Sequence, residues 1–148
     1  MRGIAALLTV AVASTAFVAP ASAETWKRFS ASDRTVYLVD EDSLVPVEGV
    51  VTTRFARVPT RGEAADQTHD IEEVQFRCAD SQSKTVVEIS YGADGAEAER
   101  FADEAEWEAA PTSGLIAQLK SLACDNMRAQ GESFASIAAF IAAGRKAD

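Results

Sequence analysis

A change of hydrophobic period, from near two to near 3.6, most constrains what this chain can fold into. From Trp26 to about Phe101, apolar and polar residues alternate in short runs rich in β-branched and aromatic side chains. Trp26-Lys27-Arg28-Phe29 opens one run and Thr35-Val36-Tyr37-Leu38-Val39 makes a second. Pro46 and Gly49 frame a turn before Val50 to Val58, where Val51, Thr53, Phe55 and Arg57 share a face. Pro59 to Asp70 is Gly-, Thr- and charge-rich and reads as an exposed loop. Strand character returns from Ile71 to Cys78, and again over Thr85, Val87, Ile89 and Tyr91. Gly92-Ala93-Asp94-Gly95 is a hairpin signal, and a sixth, weaker strand is predicted from Glu97 to Phe101.

The helical period follows. Pro111-Thr112-Ser113 offers a start, with hydroxyls placed to cap free backbone amides. Leu115, Ile116, Leu119, Leu122 and Ala123 then make one apolar face of a helix ending near Cys124. A second helix is predicted from about Ser133 to Ala143, striped by Phe134, Ile137, Ala138 and Ile141 and stopped by Gly144. Phe140 falls off that stripe, so one aromatic has room to stay exposed, although ordinary packing is the favoured reading. Sequential strands with short turns favour antiparallel pairing, so the expected class is α+β. The sheet has about five to six strands, backed by one or two C-terminal helices.

Residues 1–23 carry a different message. Arg2 precedes an apolar run from Ile4 to Val18, then Pro20 and the small-residue triplet Ala21-Ser22-Ala23. This is the layout of a secretory signal peptide of bacterial type, with cleavage expected before Glu24. The apolar core of about 15 residues falls short of the roughly 20 that span a bilayer. No cysteine stands at or just after the cut, so lipid attachment there is not expected. Residues 24–148 are then a single domain with a helical extension from about 125.

Export fixes how the two cysteines are read. Cys78 and Cys124 meet an oxidising compartment, where they form the single disulfide this chain allows. The bridge closes a loop of about 47 residues, which chain entropy makes worth roughly 4 kcal/mol. It ties the end of a strand to the end of the first helix. There is no C-x-x-C, and His69, the one histidine, cannot complete a zinc site with two thiolates. Metal and cofactor sites are not expected. One of the 14 basic residues, Arg2, lies in the signal, so the remainder carries a net charge near −10. Such a surface repels nucleic acid and anionic lipid, which argues against both as partners.

Taken in order, these landmarks resemble the surface-adhesin protein E-like family of bacterial exported proteins. They are Trp26 opening the first strand, the Tyr37-x-x-Asp40 pattern with Ser43, and Cys78 ending a middle strand. Tyr91-Gly92, Trp107 before Pro111 and Ser113, and a helix ending in Cys124 complete the set. The resemblance implies an antiparallel sheet joined to a helix by a disulfide. It also implies binding at the cell envelope, towards host matrix and plasma proteins in the best-known members. Those members are lipid-anchored, whereas this chain lacks the lipidated cysteine and extends some 24 residues past Cys124.

Several local clusters carry groups capable of chemistry. Asp40-Glu41-Asp42-Ser43 has oxygen ligands for a hard cation but lacks the Gly and spaced Glu of an EF-hand loop, and reads better as a capping turn. Acids at 97, 99, 103, 104, 106 and 108 read as a solvated edge rather than a dock for a basic partner. His69 beside Asp70 lacks the nucleophile-bearing turn of a triad and reads as a solvated loop residue. Trp26, Trp107 and Tyr91 read first as core payload. Trp107, Phe134 and Phe140 are the candidate partner contacts.

The functional expectation is an exported, non-enzymatic binding or envelope-interaction protein. Its expected place is the periplasm, with the cell surface or the medium as alternatives, and its partner is a protein of the envelope or extracellular matrix. A small periplasmic hydrolase or ligand carrier is the alternative. It requires a concave pocket where polar groups such as Asp40, Asp42 or His69 converge. A structural role in an envelope complex, through the C-terminal helix, is the third.

Intact mass of the protein from fractionated cultures checks export and the bridge together. The expected species starts at Glu24 and alkylates at Cys78 and Cys124 only after reduction. A full-length mass in the membrane fraction, or thiols that react without reductant, would overturn both expectations.

Overall fold

The computed structural model describes residues 24–102 and 104–146, so the expected signal segment 1–23 lies outside the described residues. The chain forms one antiparallel sheet. Its strands are β1 (Trp26–Ala31), β2 (Thr35–Asp40), β3 (Pro46–Val47), β4 (Val50–Pro59), β5 (His69–Arg77), β6 (Gln82–Tyr91), β7 (Glu97–Ala102), β8 (Glu108–Ala109) and β9 (Ser133–Phe134). The helices are α1 (Leu115–Cys124) and α2 (Ile137–Ala142), and a single 3-10 turn spans Glu41–Ser43. The spatial order is β7-β6-β5-β4-β2-β1-β9, with β3 on β4 and β8 on β6. Among the described residues nine strands replace the five or six expected. The six long ones stand where the alternation placed them, and the surplus is β3, β8 and β9, two residues each. Runs that short carry no period to read.

Both faces of the central strands are buried, because adjacent residues point to opposite sides. Val36 and Leu38 of β2 join Ala56, Val58, Ile71 and Trp26 on one face. Val39 joins Phe55, Val74 and Phe76 on the other. The pairings Val36↔Val58 and Leu38↔Ala56, with Ala56↔Ile71 on the next strand, hold the first set level. Each face receives one helix. Leu119 and Leu122 of α1 cover the Val39 face, while Ile137, Phe140 and Ile141 of α2 cover the Trp26 face. The helices therefore sandwich the sheet instead of forming one layer behind it.

The Cys78–Cys124 bridge is formed, with Cα atoms 5.4 Å apart and 46 positions between them in sequence. Cys78 follows the last residue of β5 and Cys124 ends α1, so the bridge staples helix to sheet. The expected hydroxyl cap at the start of α1 is not made: Gly114, at φ 84°, is the N-cap and no side chain bonds the free amides.

The second helix departs further from expectation. Ser133 and Phe134 pair with Lys27 and Trp26 as β9, and the Ser136 hydroxyl then accepts from the Ala139 amide to begin α2. With the true start at Ile137, the i, i+3, i+4 stripe is Ile137, Phe140 and Ile141. Phe140, which the sequence set off the stripe, is fully buried, and Ala138, which it set on the stripe, is exposed. The helical stripe is shifted from the expected one because Phe134 is a strand residue and the helical period begins at Ile137.

The loop from Pro59 to Asp70 is less free than its composition implied. Beyond α2, Arg145 is 5% exposed and donates to the carbonyls of Pro59 (3.3 Å), Glu63 (3.1 Å) and Asp66 (2.6 Å). Gly62 stands at φ 149°, a conformation L side chains rarely adopt, and a Cβ there would also lie 2.8 Å from the Arg145 Nη2, so that position favours glycine.

Truncating Phe140 tests the α2 layer. The ring stands edge-on to Phe134 at 5.2 Å inside the Trp26 core. Phe140→Ala is expected to cost about 3–5 kcal/mol in urea unfolding. A loss under about 1 kcal/mol, the range of a surface change, would mean that α2 is not docked.

Candidate functional site

Three places combine accessible shape with chemistry. The first lies between α1 and the outer edge of β1. On its inner side β1 pairs with β2 along its length, but on its outer side only Trp26 and Lys27 are paired, to Phe134 and Ser133. From Arg28 to Ala31 that edge has no strand partner among the described residues. Residues 127–130, which lead towards β9, stand off from it and leave a groove of about 770 Å³. Phe29, Ala31, Ala117, Leu122, Met127 and Ala129 make its apolar lining. Met127, 56% exposed, carries the apolar lining out to the rim.

The charge of this groove is opposite to that of the chain. Acids outnumber basic residues 23 to 14 overall, yet Arg28 and Arg128 line the groove and no Asp or Glu does. Neither arginine makes an ion pair among the described residues. Thr112, Ser113 and the uncapped start of α1 close one end.

The second place is Trp107, half-exposed just before β8. The Arg77 guanidinium lies 4.0 Å from the centre of its ring and the Lys84 ammonium 5.1 Å. Each such contact is worth about 0.5–1 kcal/mol at an exposed site, so the indole is held on the sheet and not free to swing out. Of the three candidate partner contacts, Trp107 alone is accessible. Phe134 and Phe140 are 6% and 0% exposed, and both belong to the core with Trp26.

The third place is the charged cluster around Arg54. Its guanidinium reaches Glu24 at 2.8 Å, Asp40 at 3.5 Å and Glu73 at 3.4 Å, and lies 5.6 Å from the centre of the Trp26 ring. The Trp26 indole N–H donates to Glu24 at 2.9 Å. Burial pushes the Glu24 carboxyl up, but hydrogen bonds from Trp26 and Arg54 outweigh it and hold it below the usual range. Asp40 is buried more deeply, and there burial wins: its carboxyl sits above the usual range despite the Thr25 and Asp42 amides and Arg54. As the capping reading expects, Asp40 accepts from the Asp42 amide at the start of the 3-10 turn. Ser43 donates to the Asp40 carbonyl at 2.6 Å and accepts from the Arg54 amide, locking the turn to β4.

His69 is not in a loop. It opens β5, is 8% exposed, and stacks on Tyr91 with ring centres 4.4 Å apart and planes within 4°. Its Nδ1 is 2.6 Å from the Gln67 carbonyl, which can only accept, so Nδ1 carries the proton. The adjacent Asp70 points to the other face, where it accepts from the Ser90 hydroxyl at 2.8 Å. Serine, histidine and aspartate thus do not converge. Asp40, Asp42 and His69 do not line the groove either. Among the described residues no three His, Cys, Asp or Glu side chains gather in a way that could hold a metal ion. Nor is any described helix long and apolar enough to cross a membrane.

The acidic stretch after Gly95 forms β7, wholly exposed at the far edge of the sheet, with Arg100 bonded to Glu97 by two contacts of 2.8 Å. Asp103 lies outside the described residues. No family model matches this chain, and neither a curated protein nor a solved structure does.

Burial makes His69 a reporter of pH. Desolvation holds its imidazole below the ordinary 6.5, and the Gln67 carbonyl and Asp70 only partly offset it. Below about pH 6.5 the unfolded chain therefore binds a proton that the folded chain refuses. The stability His69 permits is complete above that pH and falls on acidification. His69→Phe keeps an aromatic against Tyr91 and removes the titration. Its urea midpoint is expected to drop less than that of the unaltered protein between about pH 7.5 and about pH 5.5. Equal drops would show that His69 does not carry the effect.

Proposed function

We propose that this chain is an exported binding module that holds another protein in the groove between α1 and the open edge of β1. The observation that supports this reading is the coincidence of an apolar groove with a strand edge left without a partner. Main-chain amides and carbonyls at such an edge favour pairing with an added strand, and an apolar wall beside them gives side chains somewhere to go. The two edges of the sheet differ in this respect. β7 presents Glu97, Glu99 and Arg100, charges that discourage pairing, whereas β1 beyond Arg28 presents Phe29, Ser30 and Ala31.

A binding role fits better than a hydrolytic one because the polar groups a hydrolase would draw on are engaged elsewhere. Asp40 serves the turn and Arg54, while His69 serves Gln67 and Tyr91. The resemblance to the surface-adhesin protein E-like family leads to the same class of activity, and the signal layout of residues 1–23 to the same compartment. We place the working protein in the periplasm.

Site-specific photocrosslinking in the producing cell tests the proposal. A photoreactive residue at Met127, on the groove rim, is expected to give one discrete protein adduct in the envelope fraction. The same residue at Asp94, on the exposed β6–β7 turn, is expected to give none. No adduct from Met127, or equal labelling from both positions, would sink the reading.

A further inference from the structure

We infer that the groove takes an extended segment of its partner with alternating apolar and acidic side chains, added as an antiparallel strand along Arg28–Ala31. This rests on the binding reading above and narrows it to one ligand chemistry. Four observations carry it.

The first is the edge itself. The outer side of β1 is paired for two residues and then abandoned, although the strand continues to Ala31 and keeps its pairing with β2. The second is direction. β9 shows in this same chain that the outer side of β1 accepts an antiparallel strand, through Trp26↔Phe134 and Lys27↔Ser133. A segment lying along Arg28 to Ala31 would occupy the space that the chain vacates where residues 127–130 swing away.

The third observation is the wall. An added strand turns alternate side chains to opposite faces. One set would enter the groove towards Ala117, Leu122 and Met127, which are apolar and leave room for branched or unbranched aliphatic groups. The other set would emerge at the rim. The fourth is charge. The groove is lined by Arg28 and Arg128, and among the described residues no carboxylate pairs with either, in a chain whose net charge is −9. Arg54, Arg57 and Arg100 meet carboxylates of this chain, Arg77 lies over Trp107 and Arg145 holds three backbone carbonyls, whereas Arg28 and Arg128 have no ion pair among the described residues. Two arginines left without carboxylates on an acidic protein match carboxylates brought by a partner. A basic segment would be favoured by the protein's overall field but opposed inside the groove, so an acidic preference cannot come from net charge.

Fluorescence polarisation with synthetic probes tests this on the purified exported protein. The probes are three end-blocked, labelled decapeptides: alternating Val and Glu, alternating Val and Lys, and the Val–Glu peptide N-methylated at alternate amides. The Val–Glu peptide is expected to bind about tenfold more tightly than the Val–Lys peptide, the size of two rim ion pairs gained against two repulsions. N-methylation, which removes the amides a strand must donate, is expected to abolish binding. Combining Arg28→Glu with Arg128→Glu should reverse the order of the first two peptides. The probe comparison stands without the variant. Equal or reversed affinities for the unaltered protein, or indifference to N-methylation, would overturn the inference. If the Met127 crosslink still yields its adduct in that case, the groove binds protein by another chemistry and only the narrower claim falls.

Discussion

Burial of the Trp26 indole is the interaction on which most of this structure depends. The side chain sits at the start of β1, where that strand pairs with Asp40 of β2 and Phe134 of β9. Its ring enters the face covered by α2, against a cluster that includes Leu38, Phe134 and Phe140. Fully burying an aromatic of this size supplies several kcal/mol, but only if the indole N–H finds an acceptor. Glu24 provides it, and Arg54 then holds Glu24 and covers the ring. One residue therefore links the entry of the chain, the central strands, the last strand and the last helix.

The remaining architecture follows from a sheet whose middle is apolar on both sides. Such a sheet cannot leave either face to water, and two short helices answer that requirement from opposite directions. They are secured differently. α1 is tied covalently through Cys124 to the end of β5. α2 has no such tie, and depends on the Ser136 cap at its start and on Arg145 beyond its end, whose guanidinium reaches three carbonyls of the loop after β4. A cation that satisfies backbone carbonyls fixes both the C-terminal turn and a loop some 80 positions earlier in the chain. The groove at β1 exists because α1 and the segment after it lie along the sheet without closing onto that edge.

The strands were legible because alternation over five or more residues has a single geometric cause. Thr35 to Val39 and Val50 to Val58 are rich in β-branched and aromatic residues, and alternate side chains of each turn to opposite faces of the sheet. The disulfide was legible because the chain has two cysteines, which leaves one possible intramolecular pairing. The candidate site was not. Arg28, Arg128 and Met127 stand in unremarkable sequence, and only the folded chain brings them to one groove. The residues that did attract notice, Phe134 and Phe140, turned out to be core. His69 was hidden by its neighbours: a polar stretch surrounds it, yet stacking on Tyr91 draws it into the sheet.

What the sequence by itself determined is what local chemistry controls: strand positions, the span of α1, the pairing of Cys78 with Cys124 and the acidic surface. These depend on residues a few positions apart, or on the only pairing available. The tertiary structure decided which face each helix covers, that Ser133–Phe134 extends the sheet and does not begin a helix, and that Arg145 reaches back to residues 59–66. It also decided that, among the described residues, β1 keeps an edge without a strand partner beside two arginines without an ion pair. Those outcomes rest on contacts between segments that are distant along the chain. Their strength comes from burial and charge pairing, and neither exists until the segments meet.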